Sequence, residues 1–376
     1  MLTVDDRLRA AATEVREYTT DLPLPELDPT LRPAPEQGPT VRRGLVALVA
    51  AAVIMLIAIG GVALWTFTGD EESVATTVPP TTTTTPPTTT AVPDLINLPD
   101  AWQRVETSAM ASQFGLFDIT ETPSGLVAVG FDPGEQDSRQ NGVVLASSDG
   151  VNWNRLAGDD PAMNQGTVAL YGVTAGGPGL VAVGLGCDDV EELCMAHPMV
   201  WTSTDGVAWS RSSEDPNVFG TWGGMEDVIS SEHGIVAVGN SFAEGDPQSL
   251  LVRPTVWLSA DGAEWERAWS GEEFDGADAT LGTGFSSITR NPDGLLVGVG
   301  MATDSQGDFV AAVWTSTDGR TWERIDPDSP AFASQTDSDV VMQDVAWGPG
   351  GLVAVGTDGG ASVAIWHSPD GLTWTR

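Results

Sequence analysis

Three aspartates, Asp118, Asp227 and Asp344, fall at equivalent points of short apolar segments, where two further segments carry Gly172 and Ser287. Carboxylates are hard oxygen ligands, so three of them converging on one axis make a candidate Ca²⁺ site. The alternative is that each accepts a hydrogen bond from a nearby backbone amide or faces channel water. Cys187 and Cys194 are the only cysteines and share one loop; outside the cell a disulfide between them is expected. His197 would add a third metal ligand there, without an evident fourth. Tyr171, Trp222 and Trp269 are the candidate ligand-binding aromatics, the two tryptophans lying in loops outside any repeat. Acidic residues abound, but nothing selects a pair for general acid–base work. No catalytic residue is assigned.

The segments that position these residues form an internal repeat. GLVAVG occurs at 125–130, 179–184 and 351–356, with the variants GIVAVG at 234–239 and GLLVGVG at 294–300. Each is followed by a second signature of the type STDGxxW, closing on Trp153, Trp209, Trp265, Trp322 and Trp374 at spacings of 56, 56, 57 and 52. A period of that size belongs to propeller blades or solenoid arrays. Each unit reads as four strands: an inner strand, the apolar VAVG strand, a third strand and an outer strand ending W-x-R. The third strand carries Trp201, Trp257, Trp314 or Trp366 in four units. The Asp-Gly pair before the outer strand is a strong hairpin signal, because primed turns need positive φ. Four strands per unit make one blade. From Trp102 to Arg376 there is room for five units of 55 residues, so an all-β, five-bladed β-propeller is expected; six blades with a degenerate member is the alternative. An extra W-x-R at Trp102 to Arg104 resembles an outer strand without a blade.

The hairpin signature resembles the Asp-box, or BNR, repeat of sialidase-type propellers, from which it departs by one residue: S-x-D-G-x-x-W here, S-x-D-x-G-x-x-W in the family. It resembles still more closely bacterial repeat proteins of unknown function built from VAVG…TSTDGxTW units. The resemblance implies a fold and no particular activity. A sialidase would need an arginine cluster, a tyrosine nucleophile and a carboxylate beside it. Only Tyr18 and Tyr171 exist, and no Arg-Ile-Pro motif occurs. The Ser, Asp, Trp and Arg of the signature recur in every unit, which points to packing and turn geometry.

The rest of the chain sets the location. Residues 44–67 contain no charge, about 36 Å as a helix against a hydrocarbon core of ~30 Å. Arg42 and Arg43 precede this run, while Asp70, Glu71 and Glu72 follow it. The positive-inside rule then predicts a single-pass signal anchor in the cell membrane, with a cytoplasmic N-terminus and an extracellular propeller. The tail, 1–43, carries a narrow apolar seam (Val4, Leu8, Ala11, Val15, Tyr18) on a short amphipathic helix; residues 1–20 rest on the membrane or dock a cytoplasmic partner. Residues 68–98 are a Thr/Pro-rich extracellular linker, and 99–376 form the repeat domain.

Lys+Arg is 16 against Asp+Glu 53, a net charge of −37, which excludes sequence-independent nucleic acid binding. A hydrophobic content of 41% excludes global disorder. The loops opposite the Asp-Gly turns, long except for the short 357–361, hold 24 of the 45 carboxylates that follow residue 67, so this face dominates the electrostatics. The leading expectation is a non-catalytic module that binds a glycan or protein through the acidic loop face. The alternatives are a cell-surface glycosidase and a sensor signalling to a cytoplasmic partner. Ca²⁺ is the one cofactor with a candidate site.

Overall fold

The computed structural model describes residues 114–132, 140–156, 160–187, 196–212, 215–220, 222–242, 252–271, 283–305, 308–336, 338–359 and 362–376. The tail 1–43, the span 44–67, the linker 68–98 and the strand-like Trp102 to Arg104 lie outside them. Among the described residues no helix is long and apolar enough to cross a membrane.

Five antiparallel sheets follow one another along the chain. The first blade is β1 (Gly115–Thr122), β2 (Gly125–Asp132), β3 (Asn141–Ser147) and β4 (Asn154–Leu156). The second is β5 (Thr167–Gly176), β6 (Gly179–Cys187), β7 (His197–Ser203) and β8 (Ser210–Arg211), and the third is β9 (Gly223–Ser231), β10 (Gly234–Phe242), β11 (Val252–Ser259) and β12 (Glu266–Ser270). β13 (Gly284–Arg290), β14 (Leu296–Thr303), β15 (Phe309–Ser316) and β16 (Glu323–Arg324) make the fourth. The fifth has β17 (Val340–Gly348), β18 (Gly351–Asp358) and β19 (Ser362–Ser368), with Thr375 bridged to His367 in place of a full outer strand. This is the five-bladed, all-β propeller that the repeat predicts.

The VAVG strands of the first four blades are buried because they lie between sheets. Val127 and Val129 of the first blade pack with Leu170, Val173 and Trp201 of the second. The same arrangement recurs between the second and third, third and fourth, and fourth and fifth blades. Trp201, Trp257, Trp314 and Trp366 are among the largest fully buried side chains. Burying an indole stabilises by roughly 4–6 kcal/mol gross, at ~25 cal/mol per Å² over 150–250 Å². Three of these indoles also donate to carbonyls of the connector entering their blade: Trp201 Nε1 to Ala162 O (2.8 Å), Trp257 Nε1 to Val218 O (2.9 Å) and Trp366 Nε1 to Ala331 O (2.7 Å). Ala162 and Val218 sit in helical turns, α1 (Pro161–Asn164) and α2 (Pro216–Phe219), capped by Asp160 and Asp215 with proline at the first turn.

The turn signature works as a capping device. In the second blade Gly206 N–H donates to Ser203 Oγ (2.8 Å), while Val207 and Ala208 N–H donate to Asp205 Oδ1 (2.8 and 3.0 Å). Trp209 Nε1 donates to Gly206 O (3.0 Å), pinning the outer strand to the turn. The other four blades repeat these bonds. The outer-strand arginines then tie the blade to its neighbourhood: Arg155 pairs with Asp132 (3.2 Å), Arg267 Nε donates to Val218 O (3.1 Å), and Arg376 pairs with the buried Asp358 (2.6 Å).

Candidate functional site

Every inner strand shifts register at one place, leaving Phe117, Tyr171, Glu226, Ser286 or Gln343 as an extra residue in a β-bulge. The bulge brings the inner-strand carbonyl against the last glycine of VAVG. A Cβ on Gly184 would lie 2.0 Å from Ala169 O, and one on Gly356 1.9 Å from Val341 O. The glycine is therefore required by a close backbone approach. Immediately after each bulge comes Asp118, Gly172, Asp227, Ser287 or Asp344, so the bulge fixes where these side chains point.

The structure brings Asp118, Asp227, Ser287 and Asp344 into one electrostatic group and gives them scaffold roles. Asp118 Oδ1 accepts from Ile119 N–H (2.7 Å), and its Oδ2 from Val173 N–H of the second blade (2.7 Å). Asp227 repeats the pattern toward Val228 N–H (2.6 Å) and Ile288 N–H of the fourth blade (2.8 Å). Asp344 accepts from Val345 N–H (2.7 Å). Ser287 Oγ lies 2.9 Å from both Asp227 Oδ2 and Asp344 Oδ1. A hydroxyl carries one proton, so only one of those contacts can be a donation by Ser287. Burial, then the charge of Asp118, pushes Asp227 up to about 7. A protonated Asp227 donating to Ser287, which donates to Asp344, satisfies both contacts. Burial also raises Asp118, with its two amide bonds opposing and the Asp344 charge adding to the rise.

The oxygens of the three aspartates that would face a cation are thus engaged in bonds to amides and to Ser287. Among the described residues no group of three or more His, Cys, Asp or Glu side chains is arranged to hold a metal ion. Asp118 and Asp227 direct their oxygens into amides of their own and the next blade, and Asp344 directs Oδ1 to its own strand's Val345 amide and to Ser287 of the fourth blade.

The predicted aromatics are not gathered either. Tyr171 is the bulge residue of β5 and is buried; its ring stands edge-on to Phe117 (5.3 Å) and Phe131 (6.3 Å). Burial, then the charge of Glu226, raises its phenol far above the ordinary value. Trp269 is not on a loop: it pairs with Val256 in the β11–β12 ladder and packs against Phe285 and Trp322 of the fourth blade. The reason is that β12 runs longer than the other outer strands. Trp222 sits edge-on to Phe242 at 4.9 Å, just ahead of β9. Cys187, the last residue of β6, is disulfide-bonded; Cys194, the only other cysteine of the sequence, lies outside the described residues. His197 opens β7, opposite Gly186 of β6.

Two features went unread in the sequence. Glu226, the bulge residue of β9, is pushed up to about 7 by burial, against a 3.4 Å hydrogen bond from Asn240 Nδ2. Its only sequence signal is its place before Asp227. Trp347 lines a shallow hollow of about 410 Å³ on the Asp-Gly turn face, with Glu232, Asn291, Asp293 and Asp370. It is a tryptophan off the repeat positions, like Trp222 and Trp269.

No protein-family model matches the chain, and no curated protein matches its sequence. Solved structures similar to it include a thermostable family-43 glycoside hydrolase, at 12% identity over 70% of this chain and 93% of that one (TM-score 0.44). A protein of unknown function from Dyadobacter fermentans is similar at 13% identity over 70% and 93% (TM-score 0.43). Trypanosoma rangeli sialidase in complex with the inhibitor DANA is similar at 14% identity over 69% of this chain and 47% of that one (TM-score 0.44). These likenesses carry no activity over to this chain.

Proposed function

We propose that the protein is a membrane-anchored, extracellular β-propeller that binds a glycan or protein partner through its acidic loop face and performs no chemistry of its own. The observation that carries the reading is the use made of the channel carboxylates. Asp118 and Asp227 each spend both oxygens on backbone amides, and Asp344 holds an amide and a hydroxyl. The one extracellular tyrosine is buried with a raised pKa, the reverse of an activated nucleophile. What is left for recognition is the set of long, acid-rich connections on the face opposite the Asp-Gly turns, mounted on a rigid scaffold.

A second reading, a cell-surface glycosidase, draws on Glu226, since a carboxyl raised to about 7 is what a general acid requires. One experiment separates them. The full chain in detergent is given a panel of chromogenic glycosides and, in parallel, applied to a glycan array. Binding without turnover is expected, and the binding should weaken at least tenfold when Asp188, Asp189, Glu191 and Glu192 are changed to their amides. Turnover abolished by Glu226→Gln would establish the glycosidase instead. The orientation is checked by adding protease to intact cells that express the chain, which should release a fragment beginning between residues 68 and 98.

A further inference from the structure

The hollow on the Asp-Gly turn face, about 410 Å³ in volume, is assembled by three consecutive blades. Glu232 comes from the β9–β10 turn of the third, Asn291 and Asp293 from the β13–β14 turn of the fourth, and Trp347 and Asp370 from the fifth. Gly294 leaves room for this meeting, because a Cβ there would lie 2.4 Å from Glu232 Oε1. The volume falls within the range of small-molecule sites.

Asn291 is the residue that the fold alone does not explain. It is 8% exposed, and its Oδ1 accepts from Asp293 N–H (3.0 Å) and Leu295 N–H (2.9 Å). Those two bonds fix the orientation of the amide, since the flipped group would set donors against donors. Nδ2 is then the atom left to face the hollow, and it has no hydrogen-bond partner among the described residues. Buried donors are ordinarily paired. The residues that open the same turn in the first and third blades hold no donor back: Thr122 Oγ1 donates to Gly125 O (2.9 Å) and Ser231 Oγ to Gly234 O (3.0 Å). Around Nδ2 stand an aromatic wall and free acceptors. Trp347 is half-buried, packed on the core of the fifth blade. Asp370 spends Oδ1 on Leu372 and Thr373 N–H (2.9 Å each), which leaves Oδ2 over.

These groups set what a ligand must carry: an acceptor for Nδ2, donors for the carboxylates and an apolar face for the indole. An amine donates but offers Nδ2 nothing. A phosphate or a carboxylate accepts but meets three negative charges. A hydroxyl does both, and a pyranose joins a rim of hydroxyls to an apolar C–H face. We infer that the hollow is a second binding site, for a pyranose sugar, on the face opposite the acidic loops. Asn291 Nδ2 and the carboxylates of Glu232, Asp293 and Asp370 hold its hydroxyls, and Trp347 stacks on its ring.

The test titrates the full chain, in a detergent without a sugar headgroup, with the methyl pyranosides of glucose, galactose, mannose and N-acetylglucosamine, followed by saturation-transfer NMR. At least one should bind. Asn291→Asp keeps the acceptor that the turn needs and replaces the donor by a second acceptor. Leu372→Arg, at a lining position 54% exposed, fills the hollow without touching that turn. Each should weaken binding at least about tenfold with the melting transition in place; should Asn291→Asp lose that transition, Leu372→Arg alone decides. Changing Asp188, Asp189, Glu191 and Glu192 to their amides should leave pyranoside binding as it is. Absence of binding by all four sugars would overturn the inference, and so would binding that survives Leu372→Arg or a folded Asn291→Asp. Loss of binding only in the amide variant would assign the sugar to the loop face instead.

Discussion

Asp227 and Glu226 are neighbours on β9, and both titrate near 7 because burial disfavours their charged forms. Their ordinary values are 3.8 and 4.5, so between those values and about 7 the folded state holds protons that the unfolded state releases. The stability they contribute is complete below about pH 4 and is lost as the pH rises through about 7. The turn aspartates Asp149, Asp205, Asp261, Asp318 and Asp370 act with the opposite sign. Backbone amides hold each below the ordinary value, so their contribution is present above about pH 4 and fades as the pH falls. Urea unfolding from about pH 5 to about pH 8 should show a falling midpoint, with a slope of at most about 1.4 kcal/mol per pH unit for each group. Glu226→Gln and Asp227→Asn should each flatten that slope, whatever they do to the absolute midpoint. An unchanged slope in both variants would show that the two carboxyls are ionised in the folded protein.

At the scale of the strand, the bulge and its facing glycine make a testable pair. Gly184→Ala would drive a Cβ to 2.0 Å from the Ala169 carbonyl, against the β5 backbone and with nothing flexible to yield. The loss should exceed the usual overpacking range, at least about 3 kcal/mol, read as a collapsed melting transition. Gly350→Ala, at an exposed turn with nothing within 4 Å of the new atom, should leave the transition where it is. This pair also marks what the sequence can tell a reader. The period, the four strands and the Asp-Gly turns are legible because each is encoded within a few adjacent residues. The bulge is not, since Phe117, Tyr171, Glu226, Ser286 and Gln343 share no side-chain type and the shift exists only in the pairing of two strands. The candidate site divides the same way. Alignment of inner strands finds Asp118, Asp227 and Asp344, but their partners are Val173, Ile288 and Ser287, each more than fifty residues away along the chain. Trp269 was misplaced for a similar reason, because only the β11–β12 ladder shows that the outer strand of the third blade reaches it.

The whole molecule carries 53 acidic side chains against 16 arginines and no lysine. Arg267 and Arg324 also donate to the carbonyl oxygens of Val218 and Thr303. Folding draws these charges together. Self-repulsion of this kind destabilises the compact state. Salt shortens its range from about 30 Å at 0.01 M to about 10 Å at 0.1 M and about 3 Å at 1 M. The melting temperature of the full chain should therefore rise with added sodium chloride, most steeply over the first tenth of a molar, where the screening length shrinks across the width of a blade. Potassium chloride should act equally, because screening depends on ionic strength. Weak dependence below about 0.1 M, with a rise only at higher salt and stronger for sulfate than for chloride, would mark exclusion of salt from the surface instead. In that case charge repulsion is not what limits the stability of this propeller.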